Sequence, residues 1–360
     1  MFHGPQFQGV TAVYALGDMH VRGEVTTPVP PGGLLDNALQ LIGNWLPVTQ
    51  PFRTVALPVG IGQVTFYGPQ PAPGTAFDCL VRIRTITDTE LVADAQLSID
   101  GRVWAQIDGA TDRRFDSHPI AKACERFPER YPMSLRQPEG WAVVFDAWTD
   151  LVTRGMAVRS ILGADAAAEY DRMAATRKKA WMLGRIAAKD AVRFRQWDAG
   201  HTDVYPVELT IGNLPSGQPF VEVRPGRGLV DSALSLAHTE EVAVAISGPA
   251  GAEVGIDVVE IAPREDSTIR YALTESETAQ LGADPARRFA RIWAAKEAVG
   301  KALGTGLGGA PRRFEVSLDQ GTVTVGDRTF PVAWREIENP PELPPRRYVV
   351  AWTSPLPNEK

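Results

Sequence analysis

Apolar and polar positions change rhythm along this chain. From Val10 to about Gly109 they mostly alternate, as in "VRIRTIT" (81–87) and "AQLSID" (95–100), with turn residues closing each run, the pattern of half-buried strands. One stretch breaks the alternation: "GGLLDNALQLIGNWL", residues 32–46, spaces Leu35, Leu39, Ile42 and Leu46 as a helix does, behind a Pro-Pro-Gly-Gly entry. A single apolar helix among strands predicts a sheet wrapped round it. Residues 111–164 include the polar, proline-bearing "RFPERYPMSLRQPEG" and then a helical segment, which predicts a linker. Beyond it, helical residues up to 196 give way to strand-like "VELTI", "SLAHTEEVAVAI" and "GIDVVEI". "LTESETAQL" offers a capping box through Thr274 and Glu277, and "FEVSL", "TVTVG" and "YVVAW" close the chain as strands.

An internal echo refines this picture. "RIAAKDAV" (185–192) and "RIWAAKEAV" (291–299) are each followed by strands, which predicts an α+β unit used twice, with a ligand cleft between the halves. Coincidence between two Ala-rich helices is the competing reading. In the second helix Ile292, Ala295, Val299 and Ala302 line one side, while Trp293, Glu297 and Lys301 fall four apart along another. Glu297 and Lys301 form either a solvated i,i+4 pair or part of a site.

Composition narrows the choices. At 360 residues the chain exceeds one typical domain. A formal charge of -6 excludes a protein whose affinity for nucleic acid rests on a net basic surface. Only two cysteines, Cys79 and Cys124, are present, outside any zinc spacing, which suits a reducing cytoplasm. No apolar run is long enough to span a membrane.

The charges that matter are therefore local. Asp257 lies inside the apolar run "VGIDVVEI", where an ionised carboxylate needs a cation, either Arg or Lys or a divalent ion shared with a second carboxylate such as Glu297. Mg²⁺ suits the second case, since it takes one or two carboxylates, waters and substrate phosphates. Arg177 to Arg195 is a basic run with one acid, Asp190, and forms an anion site or a solvated face. His238 stands in a mostly apolar stretch, as a core histidine or a functional one.

The ordered set "GRIAAKDAV", "SLAHTEEVAVA", "GIDVVEI" and "RIWAAKEAVGKALGTGL" resembles the 4'-phosphopantetheinyl transferases. That family carries a G-(I/V)-D strand and a W-x-x-K-E-x-x-x-K-x-x-G helix behind an S-x-S-H element. The resemblance implies a transferase domain at 165–356, with a pseudo-twofold α+β fold that binds coenzyme A and Mg²⁺ between similar halves and moves phosphopantetheine onto a serine of an acyl carrier protein. It makes Asp257 and Glu297 metal ligands and sets Lys301 on the pyrophosphate and His238 on a phosphate of coenzyme A. Arg185, with Lys179 beside it, would face the 3'-phosphate. Glu297 or water would take the serine proton. Val259 stands where many larger members have a third acid, as in the smaller carrier-synthase type, and Glu260 points to the other strand face. Gln218 in "SGQPF" replaces a lysine, which implies weaker coenzyme A binding, and Ala237 replaces the serine before the histidine, leaving Ser235.

"FHGPQFQGV" and "LLDNALQ" resemble polyketide synthase dehydratases, which are double hot-dog folds with a catalytic histidine on the first half and an aspartate on the second. The resemblance implies a single hot-dog at 1–110, the C-terminal half of such a dehydratase, with Asp36 as the aspartate and Gln40 its neighbour. The histidine-bearing half is missing, and His3 is a poor substitute for its base. The half is therefore expected to be inactive alone, a fragment of a larger synthase or a vestige. Two rival readings stand beside the transferase: a dehydratase half completed by another chain, and a non-catalytic module that docks carrier proteins. Self-association of the hot-dog as a homodimer is a further expectation.

Overall fold

A computed structural model describes residues 4–50, 55–115, 119–148 and 151–353. The chain divides into two compact units, Met1–Ser117 and His118–Lys360. His3 lies outside the described residues.

The first unit is a hot-dog. Strands β1 (Val10–Gly17), β2 (His20–Thr26), β3 (Val55–Phe66), β4 (Ala76–Ile86), β5 (Glu90–Ile99) and β6 (Arg102–Phe115) form one antiparallel sheet in the order β1-β2-β4-β5-β6-β3. It curls round helix α1 (Gly33–Thr49), whose Leu34, Ala38, Leu41, Ile42, Trp45 and Leu46 are buried. Ile42 and Leu46 of the expected stripe are buried, whereas Leu35 and Leu39 are only partly so. The buried face is wider and rotated, because a sheet that curves round a helix covers more than one line of residues. Asn37 shares that face, accepting from Gly9 N–H at 2.7 Å and donating to Gly33 C=O at 2.6 Å, so its amide is satisfied in an apolar surrounding.

The stretch expected as a linker, 111–164, contains helices and strands. Strand β6 runs on to Phe115, and the residues beyond it join the second unit. After α2 (Pro119–Arg126), strands β7 (Leu135–Arg136) and β8 (Ala142–Phe145) enter a sheet, followed by α3 (Leu151–Ala157) and α4 (Ala164–Arg172). Turn-rich composition hid a short, fully apolar strand, "AVVF", which has no alternation to betray it.

The rest of the second unit repeats one plan. In the first half the long helix α5 (Ala175–Asp198) packs on β8, β11 (Ser232–His238) and β12 (Val242–Pro249), with the hairpin β9 (Leu209–Asn213) and β10 (Pro219–Val223) between helix and strands in sequence. In the second half β13 (Ile256–Glu260) is followed by α6 (Asp266–Ala272), α7 (Glu275–Ala279) and the long helix α8 (Pro285–Ala302). Strands β14 (Phe314–Ser317), β15 (Thr322–Val325), β16 (Arg328–Glu338) and β17 (Arg347–Thr353) complete it. The sheet orders β11-β12-β8 and β16-β17-β13 correspond; β15 and β14 continue the second beyond β16, whereas β9 and β10 form a separate two-stranded sheet. The sheets meet through an apolar layer in which Trp141 and Trp352 lie 5.6 Å apart.

The echoed helices carry matching buried lysines. Lys189 donates to the Ile161 and Leu162 carbonyls at 2.7 and 2.8 Å, and Lys296 to those of Ala272 and Pro311 at 2.9 and 3.1 Å. Lys296 also pairs with Glu277 at 2.6 Å, both side chains fully buried, while Glu277 and Thr274 complete the expected capping box. Burial lowers the pKa of both lysines, that of Lys189 to about 7. A Lys296→Met substitution leaves Glu277 as an unpaired buried charge and should cost about 3–5 kcal/mol, read as a lower midpoint in urea unfolding.

Candidate active site

The site begins with a glycine. Gly255 precedes β13, and a Cβ there would overlap the Ala298 carbonyl of α8, so only glycine lets the helix backbone come this close. The contact sets Glu297 and Lys301 beside Asp257. Helix α8 ends just beyond, where Gly304 takes a left-handed conformation and its N–H returns to the Lys301 carbonyl.

Lys301 is the cation that the buried Asp257 requires. Its ammonium donates to Asp257 Oδ1 at 2.7 Å, to Ile256 C=O at 3.1 Å and to Leu236 C=O at 3.2 Å, so the i,i+4 pair with Glu297 does not form. All three N–H donors are used, and a phosphate contact from Lys301 requires it to surrender one. The same bonds join β11 to β13, as does the Ile256 N–H to Ser235 Oγ bond of 3.1 Å.

Glu297 has no hydrogen bond or ion pair among the described residues, and lines a cleft of about 610 Å³ with Asp257, Thr239, Glu260, Arg264 and Trp293. Burial, partly offset by Lys301, raises the pKa of Asp257. Burial and the charge of Asp257 raise that of Glu297. Two carboxylates sharing a desolvated cleft with one ammonium fit a divalent cation. Among the described residues no cluster of three or more His, Cys, Asp or Glu is placed to bind metal, and a pair of carboxylates is a set that Mg²⁺ accepts when waters and phosphates complete its shell. Val259 and Glu260 both border the cleft, and Glu260 is also 3.8 Å from Arg346.

The remaining candidates lie on α5 and β11. His238 ends β11 beside Gly184, where an added Cβ would sit 3.3 Å from the imidazole Cδ2. Desolvation and the nearby Lys301 charge lower its pKa, which favours the neutral ring. Arg185 is buried, donates to Asn213 Oδ1 at 3.0 Å, stacks over Trp181 and keeps its Nε without a partner. It has no ion pair among the described residues, and burial lowers its pKa. Lys179 instead pairs with Asp146 at 2.6 Å. Gln218 reaches the end of α8, 2.9 Å from where a Cβ on Gly304 would lie. Thr239, Arg264, Thr268 and Phe289 also line the cleft, and no local pattern marks them except that Thr239 follows His238. In the first unit Asp36 accepts from Gln40 Nε2 at 2.7 Å on α1, and Gln40 also reaches the Phe7 carbonyl.

The corresponding position in the first half is not charged. Strand β8 carries no carboxylate, and Asp190, the counterpart of Glu297, is consumed by the Met133 and Ser134 N–H groups and by Arg193. A pocket of about 280 Å³ there is lined by Met133, Leu135, Val143, Phe145, Trp148 and Pro340.

A repeated α+β half with a charged cleft at one of two equivalent places defines the class of the second unit, and a single hot-dog that of the first. Family comparisons agree with both. Residues 253–353 match the 4'-phosphopantetheinyl transferase superfamily and residues 1–121 the polyketide synthase dehydratase N-terminal domain, so each stretch is similar to one of these families. That description names the N-terminal domain, whereas "LLDNALQ" resembles the aspartate-bearing second half. A phosphopantetheinyl transferase of Thraustochytrium sp. is 29% identical over 134 residues, covering 32% of this chain and 45% of the relative. The chain thus spans less than half the length of that relative. Among solved structures, the dehydratase domain from the CurJ module of curacin polyketide synthase is 22% identical, covering 31% of this chain and 44% of that one, with a TM-score of 0.27. A thioesterase-like protein of Ralstonia eutropha is 16% identical, covering 30% of this chain and 85% of that one, with a TM-score of 0.25.

Gly255→Ala should push α8 off β13, cost about 1–3 kcal/mol, and weaken Mg²⁺ binding measured by calorimetry. Unchanged metal affinity would separate the glycine from the site.

Proposed function

We propose that the second unit transfers 4'-phosphopantetheine from coenzyme A to a serine of an acyl carrier protein, with Mg²⁺, in the setting of a polyketide synthase. The observation that carries this reading is the convergence of Asp257 and Glu297 in one desolvated cleft. Arg185 and His238 extend the site, a buried guanidinium with no ion pair among the described residues for the 3'-phosphate and a neutral imidazole that can donate to a phosphate oxygen.

Asp257 and Glu297 would hold the metal, which when bound offsets charge on the pyrophosphate. The serine oxygen attacks the phosphorus that bears pantetheine, the bond from that phosphorus to the bridging oxygen breaks, and this oxygen leaves as part of adenosine 3',5'-bisphosphate. Glu297 or a water beside it accepts the serine proton. Lys301 keeps Asp257 oriented and adds positive charge at the mouth of the cleft.

The hot-dog unit is proposed as a platform that raises the local concentration of the carrier. Asp36 and Gln40 keep open a second reading, a dehydratase half completed by another chain. A cytoplasmic setting belongs to the same proposal, since Cys79 and Cys124 are free and buried and no described helix is long and apolar enough to cross a membrane.

Incubation of an apo carrier protein with the chain, coenzyme A and Mg²⁺ should add one phosphopantetheine by intact mass, lost with EDTA and in Asp257→Ala. No addition on several carriers, with coenzyme A still bound, would favour a docking module. Strand β3, at the sheet edge, is 12 residues long, has no charged side chain and exposes Val59, Ile61 and Phe66, so pairing with a second copy is expected. Light scattering should report a dimer that Ile61→Lys converts to monomer, and a monomeric parent at high concentration would end that proposal.

A further inference from the structure

Three residues beyond His238, a buried carboxylate plays no part in the chemistry described so far. Glu241 lies in the turn between β11 and β12, with 8% of its surface exposed. Its oxygens accept from Asn339 Nδ2 at 2.7 Å, Arg346 Nη1 at 3.0 Å and the Tyr348 hydroxyl at 3.1 Å. All three donors belong to the second half of the unit, while the turn belongs to the first. Within the turn, Thr239 Oγ1 accepts from the Glu241 and Val242 N–H groups at 3.3 Å, and the Thr239 N–H bonds the Val242 carbonyl at 2.8 Å. The Glu241 carbonyl accepts from the Asp146 N–H at 2.8 Å, which ties the turn to β8 as well.

We infer that Glu241 is a positioning residue: it fastens the turn that carries His238 and Thr239 to the half that carries Asp257 and Glu297. The cleft is built from both halves, so its width depends on what fixes this turn across the boundary. Lys301 and Ser235 fix the β11 side through β13, and Glu241 fixes the far side through the start of β17 and the loop before it. A carboxylate desolvated to this degree and satisfied by three donors holds its geometry narrowly. Arg346 reaches Glu260 as well, so the same guanidinium touches the turn and the rim of the cleft. Loss of the carboxylate frees the turn while leaving the metal-binding pair in place. The expected defect is therefore in donor binding, because His238 moves and Asp257 does not.

The structural part of this inference stands alone, and its kinetic part rests on the transferase reading. Hydrogen exchange on the whole chain should show the Asp146, Thr239 and Val242 amides exchanging at least about tenfold faster in Glu241→Ala, with those of β16 unchanged. Glu241→Gln, which can still accept from Tyr348 and Asn339, should restore most of the protection. Tyr348→Phe, which removes one donor, should give a smaller effect in the same direction and serves if Glu241→Ala does not fold. In the carrier assay, Glu241→Ala should raise KM for coenzyme A about tenfold with kcat within about threefold of the parent. Unchanged exchange at the turn, or a uniform rise across the unit, overturns the positioning role. Faster exchange at the turn with an unchanged KM would overturn its link to donor binding. A parent chain that transfers nothing would count against the transferase reading, leaving the exchange result to decide the role of Glu241.

Discussion

The second unit depends on how closely one helix backbone can lie against one strand. Because Gly255 has no side chain, α8 settles onto the start of β13, and residues 44 positions apart, Asp257 and Lys301, come within 2.7 Å. The meeting of Asp257, Glu297 and Lys301 follows from that approach. The carboxylate would be costly in its apolar strand without the ammonium, and the ammonium would have no fixed place without the two carbonyls it also binds. Burial meanwhile leaves Glu297 without a partner of its own, which is what makes a divalent cation a good fit.

Repetition explains why one helix pattern serves two purposes. Lys189 and Lys296 occupy the same place on echoed helices, and each gathers backbone carbonyls of a neighbouring segment. The next residue differs in fate. Asp190 caps two N–H groups and pairs with Arg193, whereas Glu297 faces the open cleft. One acidic position on a shared scaffold is thus a brace in one half and a cleft-lining carboxylate in the other.

Much of the architecture was legible because it follows from periodicity and spacing. The hot-dog, the capping box at Thr274 and Glu277, the buried stripe of α8 and the doubled α+β plan all rest on patterns that local sequence displays. The pairing of Asp257 with a lysine was one of two outcomes that desolvation allowed, but its identity depends on a tertiary contact. What escaped detection lacked a local signal. Strand β8 is four apolar residues inside a turn-rich stretch, and the donors to Glu241 come from about 100 residues away. Lys179 looked like one more member of a basic run, yet its partner, Asp146, lies in the stretch expected to be a linker.

The mostly apolar pocket beside β8 bears on the stoichiometry of the proposed reaction. Two equivalent clefts would give each chain two places to seat a donor and two competing approaches for an acceptor. With carboxylates absent from β8 and Asp190 bonded to backbone N–H groups and Arg193, the first half presents no matching carboxylate pair among the described residues. The reading therefore implies a single turnover centre per polypeptide, and leaves the other face free to diverge without affecting chemistry.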